Sequence, residues 1–112
     1  MKGLFVLVLL LAFPAASEAL EGTLQSQTGT SSVLVWKSQQ AMDEGLALIR
    51  AQAAPHIIAP LLACAPKAGT RVVYTADTQG SMWSGYLWPV TIVNGPFAGC
   101  RGFVPSGNLN KK

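Results

Sequence analysis

Trp88-Pro89-Val90-Thr91-Ile92-Val93-Asn94-Gly95-Pro96, returning through Gly99-Cys100-Arg101-Gly102-Phe103-Val104-Pro105, is the stretch that decides the fold. Trp88, Val90 and Ile92 fall on one face of an extended chain, and Pro89, Thr91 and Val93 on the other. After the turn, Cys100, Gly102 and Val104 share a face opposite Arg101 and Phe103. A period of two on both sides of an Asn-Gly turn predicts a β-hairpin. Val104 and Cys100 have the same parity, so a core-facing valine brings the cysteine inward with it.

Working outward, the period of two continues upstream to Pro66. Lys67-Ala68-Gly69 has turn chemistry, residues 71–76 form a β-rich run with Val72 and Tyr74 on one face, and Asp77-Thr78-Gln79-Gly80 reads as the next turn. Before Pro66 the spacing changes. Val35, Met42, Leu46, Ile49 and Ala53 make a helical stripe that Ser38 or Ser32 can cap, with Arg50 near its end and Pro55 as its stop. Gly45 inside that stripe costs about 1 kcal/mol relative to alanine; it also leaves room for another backbone to come close. Asp43 and Glu44 point to different helix faces and read as solvated. Residues 56–64 are apolar, interrupted by Pro60, and read as a buried connector that delivers Cys64 to the first barrel strand.

The beginning of the chain is of another kind. Met1-Lys2 is a short positive start, residues 3–13 are almost wholly apolar, and Ser17 and Ala19 put small residues at the −3 and −1 positions of a cut after Ala19. This pattern predicts a secretory signal peptide, and the apolar run is too short to span a bilayer, which takes about 20 residues. Cleavage leaves 93 of the 112 residues and, removing one charge of each sign, keeps the net charge at +3. Residues 21–32 are nearly all Gly, Thr, Ser and Gln, apart from Leu24. They read as a flexible linker, because such a composition offers little apolar burial against its ordering entropy.

In an oxidising compartment, the two cysteines, Cys64 and Cys100, most simply form one disulfide, with a pair of buried free thiols as the alternative. Closing a ring of about 37 residues is worth roughly 4 kcal/mol in the chain-entropy model. A domain of this size buries a modest share of its surface, so such a staple matters. Zinc is disfavoured, since His56 is the only histidine and four ligands are usual. Lys37, Arg50, Lys67, Arg71 and Arg101 are scattered singly, without the basic and aromatic clustering of a nucleic-acid binder.

Gly69-Thr70-Arg71-Val72-Val73, a strand ending at Val93, the turn at Gly95, and Gly102-Phe103-Val104-Pro105-Ser106 closed by Leu109 together resemble the bacterial Src-homology-3-like (SH3-like) family. The resemblance covers about residues 64–109. It implies a small, mainly β barrel in which the Gly-aromatic-Val-Pro segment precedes a single helical turn. The chain then divides into a leader (1–19), a linker (20–32), a helical extension (33–63) packed on the barrel, and the barrel itself (64–110). Eukaryotic members hold polyproline helices partly through a tyrosine shortly after this proline. Here Pro105-Ser106-Gly107-Asn108-Leu109 has none, so that activity is not carried over.

The resemblance implies an exported interaction module of the cell envelope, secreted or periplasmic. Its expected partner is a cell-wall peptide or an envelope protein, with no nucleic acid, no cofactor, no metal and no membrane anchor after cleavage. Trp83 and Tyr86, in the aromatic segment Met82-Trp83-Ser84-Gly85-Tyr86-Leu87-Trp88, are the candidate binding residues; Trp88 is assigned to the core by parity. Arg71 and Arg101 share outward strand faces and are candidates to meet a carboxylate. A second function class is a small secreted inhibitor or immunity-type protein that plugs an envelope hydrolase with the same loop as a rigid wedge. Catalysis is not expected, because no spacing pairs His56 with Glu21, Asp43, Glu44 or Asp77 beside a nucleophile.

Overall fold

The computed structural model describes residues 19–27, 29–81 and 85–111. The expected leader, apart from Ala19, and the expected contact residue Trp83 therefore lie outside the described residues. The rest is mainly β and antiparallel. Among the described residues there are eight strands: β1 (Leu20–Leu24), β2 (Val35–Trp36), β3 (Leu62–Cys64), β4 (Arg71–Tyr74), β5 (Gln79–Ser81), β6 (Gly85–Ile92), β7 (Arg101–Pro105) and β8 (Leu109–Lys111). They are ordered β3-β2-β7-β6-β4-β1-β8, with β5 beside β6. The sheet does not close on itself.

The hairpin read from residues 88–105 is β6 and β7, in register from Leu87 opposite Pro105 to Thr91 opposite Arg101. Gly95 and Gly99 both take positive φ in its turn, a backbone conformation that costs glycine little. Val72, Tyr74, Val90, Ile92 and Val104 are buried together in the main core, as their parity requires. The disulfide joins Cys64 to Cys100 across 36 positions and ties β3 to the chain entering β7. Cys64 is part of the core and Cys100 packs against it.

The polar stretch after the expected leader is not a loose arm. Leu20–Leu24 is a strand inside the sheet, paired with β4 on one side and β8 on the other. Leu24 is 1% exposed. Gly22 supplies the room for β8, since a Cβ there would stand 2.9 Å from the Asn110 carbonyl oxygen. The remaining turn is also tied to the sheet: Gln25 N–H donates to the Asn108 carbonyl and Val33 N–H to the Pro66 carbonyl. Main-chain ladder bonds hold this segment, and composition does not record them.

The helix α1 spans Gln39–Arg50, with the Ser38 hydroxyl accepting from Ala41 N–H at its start. It ends at Arg50, before the expected limit at 54, because Gln52 turns into the left-handed region at φ 58° and its N–H bonds the Ile49 carbonyl. Pro55 does not stop this helix. It opens a second short one, α2 (Pro55–Ile58), where a proline at the first position loses no helical hydrogen bond. A 3-10 turn (Ala59–Leu61) then leads into β3. The expected buried connector is thus a partly exposed helical turn, and His56 within it is exposed. Gln79 and Gly80, expected in a turn, pair in β5 with Leu87 and Tyr86.

Nor is the helical segment an extension outside the sheet. It is inserted between β2 and β3, which are strands of the same sheet. Val35 and Trp36 explain how it attaches. Adjacent strand residues face opposite sides, and both are buried, at 0% and 2% exposure. Val35 belongs to the main core. Trp36 joins Met42 and Leu87 in a second core, with Leu46, Leu62 and Phe103 against it. The sheet therefore buries apolar residues on both faces at β2.

Candidate functional site

Tyr86 stands near the start of β6, opposite Gly80, and is 45% exposed. Beside it α1 presents Met42, Leu46 and Ile49, and the strand ends present Trp36 and Pro105. Together they line a groove of about 700 Å³. Ile49, at 41% exposure, continues the apolar surface onto the helix. Gln27 and Asn108 also line the groove. Such a cleft offers aromatic and aliphatic contact flanked by groups that can hydrogen-bond an extended main chain, the usual composition of a small-ligand or peptide site.

The groove's base is fixed by the turn after β7. Ser106–Asn108 form one 3-10 turn between β7 and β8. Trp88 Nε1 donates to Ser106 Oγ at 3.0 Å, and that hydroxyl lies 3.4 Å from the Tyr86 carbonyl oxygen. Asn108 Nδ2 donates to the Gln25 carbonyl while Gln25 Nε2 donates to the Gly107 carbonyl, so the turn is stitched to the exit of β1. The Trp88 ring sits edge-on to Tyr74 at 5.6 Å between centroids and carries Lys111 Nζ 4.0 Å above it. Half-buried against the main core, Trp88 is a support for the site.

The three expected contact residues that are described do not converge. Trp83 lies outside the described residues, and Tyr86 is in the helix-side groove. Arg71 is exposed at the hairpin end, where its main-chain N–H donates to Asn94 Oδ1 at 3.0 Å. Arg101 lines a different cleft, on the outer face of β4, β6 and β7, together with Lys37, Pro89, Thr91 and Phe103. The two clefts share no lining residue.

Sequence reading missed Trp36, which no periodicity singles out in a two-residue strand. It also took Met42, Leu46 and Ile49 as packing alone. The signal for the groove was the length of that stripe: Ile49 extends it past the part that the sheet can cover. Among the described residues no cluster of three or more His, Cys, Asp or Glu side chains is placed to hold a metal ion, and no helix is long and apolar enough to cross a membrane. No family model, curated protein or solved structure matches the chain.

Proposed function

We propose that the protein is an exported, non-enzymatic binding module of the cell envelope, with an SH3-like core, that holds a peptide segment of a wall or protein ligand in the groove between α1 and Tyr86. The observation that carries this reading is the exposed apolar pair Ile49 and Tyr86 facing a common cleft. Large aromatic side chains in a concave setting give contact area at small entropic cost.

Support for the SH3-like core comes from the strand order β8-β1-β4-β6-β7 and the 3-10 turn that follows Gly102-Phe103-Val104-Pro105. On this reading β2, α1, α2 and β3 are an insertion between its first two strands. Fold alone does not assign a ligand. Export to the periplasm or medium rests on the leader-like start and on the disulfide, which suits an oxidising compartment.

The test is co-sedimentation of the exported protein with isolated cell-wall sacculi at low salt, alongside affinity capture from envelope extract. Binding that falls on Tyr86→Ala or Trp83→Ala, with the fold unchanged by circular dichroism, supports the proposal. Recovery of one stoichiometric hydrolase in place of wall fragments would support the inhibitor class. No binding in either experiment overturns the module reading.

A further inference from the structure

We propose that the cleft on the outer face of β4, β6 and β7 is a second binding site, separate from the Tyr86 groove, for a short peptide that presents a free C-terminal carboxylate.

Trp36 pairs with Phe103, so the next residue along the chain, Lys37, runs beside Gly102 and Arg101. Both cations are exposed and line the same cleft. Two cations lining one cleft favour an anion there. The arginine can also grip it in a bidentate way. Lys37 and Arg101 thus form an anion-selective end.

The floor is of a different nature. Pro89 and Thr91 lie opposite Phe103 and Arg101 on the outward face of the hairpin, and Val73 continues that face across β4. Phe103 offers its ring to an apolar side chain, while Thr91 offers a hydroxyl. Asp77, in the segment after β4, stands on the far wall. Its charge disfavours a polyanion lying along the whole cleft, which argues for one terminal carboxylate on an otherwise apolar body.

Size favours a peptide of a few residues. The cleft measures about 550 Å³, within the range of roughly 300–1,000 Å³ typical of small-ligand sites and too small for a folded partner. From β7 to β4 is two strand spacings, about 10 Å, which three extended residues span at about 3.4 Å each. Ala19 also touches this cleft, so a cut after it leaves that end open.

Titration of the exported protein with N-acetyl-Val-Phe-Ala as the free acid, and separately as its C-terminal amide, tests the proposal by calorimetry or by chemical-shift change. The free acid is expected to bind. The amide, Lys37→Gln and Arg101→Gln should each weaken binding by about tenfold, while Tyr86→Ala leaves it unchanged. Both cations are exposed, so the variants keep their fold, checked by melting temperature. Equal binding of acid and amide, no binding of either, or loss with Tyr86→Ala and not with Lys37→Gln would each overturn it. The wall-binding proposal stands or falls separately, because it is read from sacculi and from Tyr86.

Discussion

Gly45 of α1 lies directly against the indole of Trp36: a Cβ at this glycine would come within 2.5 Å of Trp36 Cη2. The glycine that weakens the helix is therefore what lets the helix reach the sheet. An aromatic ring, not a neighbouring backbone, fills the space.

Gly45→Ala gains about 1 kcal/mol of helix propensity and loses more to overpacking, which costs about 1–3 kcal/mol. A net destabilisation of up to about 2 kcal/mol is expected in urea denaturation. Trp36→Phe in the same chain should recover part of it, since contacting residues couple. An unchanged midpoint in Gly45→Ala would contradict the packing described.

Gly102 is the corresponding point on β7. A Cβ there would stand 2.6 Å from the Trp36 carbonyl oxygen and 2.7 Å from Val35 Cγ1, so main chain blocks it and cannot swing aside as a side-chain tip would. Gly102→Ala should cost about 3 kcal/mol or slightly less, lowering the melting temperature by several degrees. A melting curve that overlays the parent would refute this.

The Cys64–Cys100 bridge spans 36 positions. Replacing both cysteines by alanine should remove about 4 kcal/mol of stability in the chain-entropy model. Mass spectrometry of the folded protein, alkylated without reductant, should show neither thiol modified. Full alkylation would rule the bridge out.

Trp88 Nε1 and Ser106 Oγ define a fourth test. Trp88→Phe keeps a ring near Tyr74 but drops the 3.0 Å hydrogen bond that anchors the 3-10 turn. A loss of about 1 kcal/mol is expected, with faster amide exchange at residues 106–108. Ser106→Ala should produce the same local exchange change; protection retained in both variants would show that the turn is held elsewhere.

Met42 tests the second core separately from the first. It is 5% exposed beside Trp36 and Leu87, so Met42→Ala should cost about 2–5 kcal/mol. The near-ultraviolet signal of Trp36 should change as well. An effect below about 0.5 kcal/mol would mean that α1 is not packed as described.

By itself the sequence determined the strand faces of the hairpin, narrowed the cap of α1 to Ser38 or Ser32, and made one disulfide the simplest use of the two cysteines. Each depends on periodicity, on a residue's own hydrogen-bonding chemistry, or on a count of two. It did not determine that Leu20–Leu24 is a strand, because that segment is held by main-chain bonds to β4 and β8 that leave no mark on composition. The groove behaved likewise. Met42, Leu46 and Ile49 show their spacing in one dimension, but which of them the sheet covers was decided only when Trp36 and Tyr86, 50 positions apart, came to face the same helix. Tertiary packing also set Arg101 in the cleft that Lys37 lines and apart from the Tyr86 groove, since neighbours across a sheet are set by register between distant strands.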